Sequence, residues 1–118
     1  MISNNQNNSF YRGIWNSLPH PGFIINSHLK IVDVNSSSED YCLTGKKRII
    51  GRLITEFIGD SSLLIKVIQQ TVKEKSPVTV YSIDMFLVGR GVGVNNVYCS
   101  PLETLDDSVL LLIQPTTQ

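Results

Sequence analysis

The sequence predicts an α+β domain in which a five-stranded antiparallel sheet carries helices on one face and is preceded by a flanking helix. Three observations predict this class. A hairpin pattern lies near the start of the chain, a long amphipathic helix pattern lies in its middle, and three strand patterns follow with no further helix between them. Segregated helical and strand patterns favour an antiparallel sheet covered on one side. The 118 residues suit one compact domain with a buried core.

The first element is a short amphipathic helix predicted over residues 9–18, after a polar tail. Aromatic and aliphatic side chains recur there every four residues, which is the spacing of one helix face. Residues 1–8 are rich in Asn and are predicted to be disordered. The apolar stripe either folds onto its own core or packs on a second copy of the chain. The contacts predicted for the second case are Phe10, Ile14, Trp15 and Leu18.

A proline-stiffened corner and a hairpin come next. Pro19 and Pro21 fix φ near −65° and disfavour helix in the residues before them, so the first helix should end near residue 18. Residues 22–26 and 29–34 are short and rich in β-branched side chains, and are predicted to pair as a hairpin. Asn35 is a preferred helix N-cap, and the acidic residues that follow suit a first helical turn.

Helical patterns fill the middle of the chain. A short helix is predicted over residues 35–43, with Gly45 able to stop it, and residues 49–59 are predicted to be short helix and loop. The clearest helix is predicted over residues 61–75, with an i, i+4 stripe of aliphatic side chains. Pro77 prevents its continuation.

Three strands are predicted in the last third of the chain, over residues 78–88, 96–102 and 108–114. The first should change the face that it buries, because Val78 and Val80 are followed by an apolar series that begins at Tyr81. The last is apolar on both faces, which suits a central position in the sheet.

The composition limits which partners and which cellular compartment suit the chain. Ten basic and ten acidic residues give a net charge of zero, so nothing indicates a nucleic-acid partner, and the cluster at residues 46–48 is expected to be a solvated loop. The longest apolar run, residues 109–113, is far too short to span a membrane. Cys42 and Cys99 do not make a disulfide framework. These features predict a cytoplasmic protein with reduced thiols and no membrane partner.

The order of elements resembles that of PAS sensor domains, and one segment is more specific. Residues 14–26, IWNSLPHPGFIIN, resemble the opening of nitrogen-regulation sensor histidine kinases of the NtrB type, in the form found in alphaproteobacteria, where an "ALPHPVLVVD" segment begins the sensor domain. The resemblance covers residues 14–114. Further matching segments are residues 31–35, 61–64, 78–84 and 97–102. Residues 90–96 depart from the family, which has a more basic turn there.

The resemblance implies a parent kinase that phosphorylates its own histidine, passes the phosphoryl group to a response regulator, and is regulated by a PII-type signalling protein. The chain has no helix with a phospho-acceptor His beside an acid and no Gly-rich ATP lid. It is therefore expected to be a non-catalytic, homodimeric sensor piece. Residues 19–115 would form the PAS domain, and residues 116–118 would begin a linker to the absent kinase region.

A bound cofactor is not predicted. Cys42 lies in DYCLTG rather than the NCRFLQ segment of flavin photosensors, the long helix has no His for a haem iron, and no cluster has metal-ligand spacing. The remaining site is a pocket between sheet and helices, with a dry core as the alternative. Its predicted lining is Ile25, Val32, Leu64, Ile68, Tyr81, Ile83 and Tyr98. A metabolite sensor and a module of a transcriptional regulator remain alternatives to the kinase.

Overall fold

The computed structural model describes residues 4–59, 62–87, 91–103, 105 and 107–116, and contains four α-helices and five strands within them. A 3₁₀ turn at Lys46–Arg48 lies between the second and third helices. In chain order the elements are α1 Asn4–Ser17, β1 Gly22–Ile25, β2 Ile31–Val34, α2 Ser36–Cys42, α3 Thr55–Ile58, α4 Ser62–Glu74, β3 Val78–Leu87, β4 Gly91–Pro101 and β5 Val109–Pro115.

The five strands form one antiparallel sheet in the order β2-β1-β5-β4-β3. Helices α2, α3 and α4 contact one side, here called the inner face, and α1 lies against the other, the outer face. The prediction of an α+β sheet covered by helices on one face is confirmed. β5 is the central strand, as its apolar residues on both faces predicted.

The core lies between the inner face and the helices. Phe23, Leu111 and Ile113 from the central strands are fully buried, and Leu64 and Ile68 of α4 pack into the same cluster. The α4 stripe predicted from i, i+4 spacing therefore faces the sheet. Large aliphatic side chains from neighbouring elements exclude water from this layer, and their burial is the main stabilising contribution.

β3 contains an irregularity where the sequence predicts a change of face. Val80 pairs with Val97 and Ile83 pairs with Asn95, so Tyr81 and Ser82 together oppose a single residue. Ser82 has φ of +56°, and its backbone N–H donates to the Asn96 side chain at 2.9 Å. The change of face is confirmed, but the inner series resumes at Ile83 rather than Tyr81.

Two boundaries differ from the prediction. The first helix begins at Asn4 instead of residue 9, since extending a formed helix adds one hydrogen bond per residue even through polar sequence. Residues 1–3 of the predicted tail lie outside the described residues. β4 begins at Gly91 instead of residue 96, because Gly91 and Gly93 pair opposite Leu87 and Met85 on β3.

The end of α2 lies within one residue of the prediction, but the residue that terminates the helix is a different one. Leu43, not Gly45, takes the left-handed conformation, with φ of +59°, and its N–H donates to Asp40 O at 3.3 Å. Glycine is preferred in this conformation because it has no Cβ, so Leu43 carries local backbone strain at the helix end.

Candidate dimer interface

Asn35 organises the corner that connects α1 to the domain. It is fully buried, and its side-chain oxygen accepts hydrogen bonds from the backbone N–H groups of Gly22 and Ser38, each at 3.0 Å. Its side-chain nitrogen donates to the His20 carbonyl at 3.0 Å. The predicted N-cap is confirmed, and the same amide also joins the proline corner and β1 to the start of α2.

Two further hydrogen bonds join the end of α1 to the start of α2. The Asn16 side-chain oxygen accepts from the backbone N–H of Ser36 at 3.1 Å, and the Ser37 hydroxyl donates to the Leu18 carbonyl at 2.8 Å. The first satisfies one of the N–H groups that a helix start leaves without an intrahelical partner. The carboxyl end of α1 is thereby held to the body of the domain.

Trp15 packs against the backbone of its own domain. A Cβ added to Gly22 would lie 2.7 Å from the far edge of the Trp15 ring, so the absence of a side chain there lets the indole approach β1. Trp15 and Leu18 are both half-buried. Of the four predicted dimer contacts, Trp15 is therefore engaged within the chain.

Two of the predicted contacts, Phe10 and Ile14, lie on the open side of α1. Phe10 is 64% exposed and Ile14 is 50% exposed, one helical turn apart on the same face. Tyr11 is also exposed, and its ring meets that of Phe10 edge to face with centroids 5.5 Å apart. This "α1 stripe" of Phe10, Tyr11 and Ile14 is an apolar surface that the described chain leaves open to solvent.

The outer face of the sheet adds a second apolar surface. Ile24 pairs with Leu110, and Tyr98 pairs with Leu112, so these side chains form rows across β1, β5 and β4. All four are only half-buried. Tyr81 extends the surface onto β3, where its ring lies 6.4 Å from that of Tyr98 and is 68% exposed.

Solved structures that superpose on this chain share one fold. The PAS domain of nitrogen regulation protein NR(II) from Vibrio parahaemolyticus superposes with a TM-score of 0.76, at 18% identity, over 90% of this chain and 97% of that one. A PAS domain from a two-component sensor histidine kinase superposes with a TM-score of 0.78, at 10% identity, over 97% of this chain and all of that one (100%). The chain has the PAS fold.

Sequence comparison finds a similar segment in a sensor kinase. The chain is 26% identical over 102 residues to the sensory histidine kinase/phosphatase NtrB of Rhodobacter capsulatus. The match covers 86% of this chain and 29% of that protein, so the chain spans about three-tenths of its relative's length. No protein-family model matches the chain. The predicted resemblance to the PAS domain of NtrB-type kinases is confirmed.

The seven residues predicted to line a ligand pocket do not all lie around one space in the structure. Ile25, Leu64, Ile68 and Ile83 are at most 6% exposed and belong to the core cluster. The others are placed differently. Tyr81 and Tyr98 lie on the outer face, because the irregularity in β3 and the alternation of side chains along β4 turn them away from the helices. Val32 lies on the edge strand β2 and is 38% exposed.

Two other kinds of site are absent from the described part of the chain. No group of three or more His, Cys, Asp or Glu side chains suited to a metal ion occurs among the described residues. Within the same residues, no helix has the length and apolar character needed to cross a membrane.

Cys99 provides a test of the inner-face packing. The side chain is 1% exposed, and burial raises the pKa of its thiol above the ordinary 9.0, against a smaller opposing effect of a hydrogen bond with Thr71. A raised pKa keeps Cys99 protonated, and the thiolate is the reactive form. The stabilising contribution of the buried, protonated Cys99 thiol is therefore present below pH 9 and is lost as the pH rises further.

We therefore expect a Cys42→Ser chain at pH 8 to react with a disulfide reagent at least about tenfold more slowly when folded than in urea. Half-buried Cys42, measured in a Cys99→Ala chain, should react faster than Cys99 when folded. Equal rates for Cys99 in the folded and unfolded chains would contradict the packing described.

Proposed function

We propose that this PAS domain is the homodimeric regulatory domain of a cytoplasmic nitrogen-regulation sensor histidine kinase. The observation that carries the proposal is the α1 stripe beside the half-buried apolar outer face, on a fold similar to NtrB. A contiguous apolar surface of this kind is typical of a protein interface. Residues 19–115 would be the sensing unit, and residues 116–118 would lead towards the kinase region.

In the proposed mechanism, the signal is a change in how the two protomers pack against each other. In a two-fold dimer the same patch lies on both sides of the interface, so a change in the angle of α1 would occur in both protomers together. Such a change would shift the segments that follow the sheet and so alter the kinase. The parent kinase would transfer a phosphoryl group to a response regulator that controls transcription, under the influence of a PII-type protein.

The attachments of α1 support this mechanism. Its carboxyl end is tied to α2 through Asn16 and Ser37, and α2 begins at the buried cap Asn35. The α1 stripe is therefore connected to the helical layer through short hydrogen bonds, which is the kind of contiguous contact that couples two surfaces.

Native mass spectrometry of the purified chain tests the proposal. A dimer with no additional mass is the expected result. A tightly bound small molecule in the core would instead favour a metabolite sensor, and a monomer at all concentrations would overturn the dimeric role.

Substitution of the α1 stripe should separate the protomers. We expect Phe10→Glu with Ile14→Asp to raise the dimer dissociation constant by at least about 100-fold, since burying each apolar side chain contributes about 1.5–3 kcal/mol. Sedimentation velocity measures the change. Both residues are exposed, so the monomer should keep its folded circular dichroism spectrum.

Leu43→Asp is the matched control, because Leu43 is 61% exposed at the far end of α2. Its dimer dissociation constant should stay within about twofold of wild type. Equal weakening by Leu43→Asp and by the α1 variant would remove the α1 stripe from the interface.

A further inference from the structure

A cleft lies between the carboxyl end of α4 and the loop that joins β4 to β5. It has a volume of about 440 Å³, within the range of about 300–1,000 Å³ that is typical of small-molecule sites. Val72 and Pro77 contribute apolar surface to its walls, and charged and hydroxyl-bearing side chains contribute the rest. The cleft includes no residue of α1 and none of the seven residues that the sequence predicts to line a pocket.

Three charged side chains line this cleft. Lys75 directly follows α4, where its backbone N–H donates to the Thr71 carbonyl at 3.0 Å, and Glu103 and Asp107 lie in the loop opposite. Within the described residues, none of these three side chains forms an ion pair or a hydrogen bond. Charges of both signs therefore line one cleft without compensating each other, and a ligand that carries both signs could pair with all of them.

Ser108 adds a hydroxyl group that has no partner. The residue is only 5% exposed, and its backbone is satisfied, since its N–H donates to the Leu105 carbonyl at 3.2 Å and its carbonyl accepts from the Leu102 N–H at 3.0 Å. Its hydroxyl makes no hydrogen bond to any described residue, yet Ser108 lines the cleft and the hydroxyl is not sealed from it. Buried polar groups normally have a partner, so this hydroxyl is available to a ligand.

We propose that this cleft binds a basic amino acid of the lysine type. The two ammonium groups of the ligand would each pair with one carboxylate, Glu103 or Asp107, and its carboxylate would pair with Lys75 and accept from the Ser108 hydroxyl. The two positive charges and one negative charge of the ligand thus match the two negative charges and one positive charge of the cleft. Binding depends neither on the proposed kinase function nor on dimerisation.

Calorimetric titration of the whole chain at constant ionic strength tests the proposal with three compounds. L-lysine should give saturable binding. Cadaverine lacks only the carboxylate, and L-norleucine lacks only the side-chain ammonium, so each should bind at least about fivefold more weakly. Simple attraction to negative charge would instead favour cadaverine, which carries two positive charges. No saturable binding of L-lysine, or cadaverine binding as tight as that of L-lysine, would overturn the proposal.

Substitution of the carboxylates locates the site. Glu103→Gln and Asp107→Asn should each weaken L-lysine binding at least about fivefold. Asn tolerates the left-handed backbone of Asp107, which has φ of +58°, so the second variant keeps the loop conformation. Asp84→Asn removes an exposed acid on β3, outside the cleft, and should leave the affinity within about twofold. Equal weakening by all three variants would indicate non-specific attraction and overturn the assignment.

Ser108→Ala separates a ligand contact from a structural role. We expect it to weaken L-lysine binding by about two- to fivefold, because the ligand carboxylate loses one donor. The midpoint of urea unfolding should not fall, since the Ser108 hydroxyl makes no hydrogen bond within the described chain that the substitution could remove. Unchanged L-lysine affinity in Ser108→Ala would contradict the contact assigned to this hydroxyl.

Discussion

Replacing Asn35 by alanine is expected to destabilise the domain by about 2–4 kcal/mol. The change removes the N-cap of α2, which is worth about 1 kcal/mol, and leaves the buried Gly22 N–H without its acceptor, which costs about 1–3 kcal/mol more. The His20 carbonyl also loses its donor. Because small domains are stable by only about 5–15 kcal/mol, urea denaturation should show a large decrease in the unfolding midpoint.

Asn16→Ala is the matched control for this prediction. It changes the same residue type near the same end of α2, but Asn16 is exposed and supplies only one acceptor, to Ser36. A loss of about 0.5–1 kcal/mol is expected. If Asn35→Ala cost no more than Asn16→Ala, the central role of Asn35 in the corner would be wrong.

A methyl group at Gly22 should displace Trp15. The Cβ of Gly22→Ala would lie 2.7 and 2.8 Å from two ring carbons of Trp15 and 3.1 Å from the Asn35 side-chain nitrogen. Such overpacking typically costs about 1–3 kcal/mol. We expect a corresponding loss of stability and a red shift of the tryptophan fluorescence, because the displaced indole becomes more hydrated.

A double-mutant cycle separates this contact from other effects. Trp15→Ala removes the ring, so Gly22→Ala should cost at least about 1 kcal/mol less in that background. Gly13→Ala is a control of opposite sign, since nothing lies within 4 Å of the added Cβ in the interior of α1. It should stabilise the domain by about 0.5–1 kcal/mol. Additive effects of the Gly22 and Trp15 substitutions would contradict the packing of the indole on β1.

Local sequence preferences predicted much of the fold. Pro19 and Pro21 restrict their own backbone and the residues before them, and Asn35 has a strong preference for the cap position, so the corner and the start of α2 follow from a few residues. The spacing of the α4 stripe likewise predicts the face that meets the sheet.

The candidate site was less accessible from sequence, because it depends on contacts between distant segments. The alternation in β3 indicated a change of face, but not that Tyr81 and Ser82 together would oppose one residue and turn Tyr81 outwards. The close approach of Trp15 to Gly22 joins two elements across the proline corner, and no local pattern reports it. Helix periodicity selected Phe10 and Ile14 correctly as one stripe, yet could not separate them from half-buried Trp15 and Leu18.

Oxidative cross-linking tests the central claim, that two PAS domains meet through α1, most directly. Ile14→Cys would be placed in a Cys42→Ser chain, in which the remaining native thiol, Cys99, is buried. Two α1 helices packed about a two-fold axis should give a rapid covalent dimer on mild oxidation, whereas Leu43→Cys in the same background should stay monomeric on a non-reducing gel. Equal cross-linking of the two variants, or none from Ile14→Cys, would contradict the account.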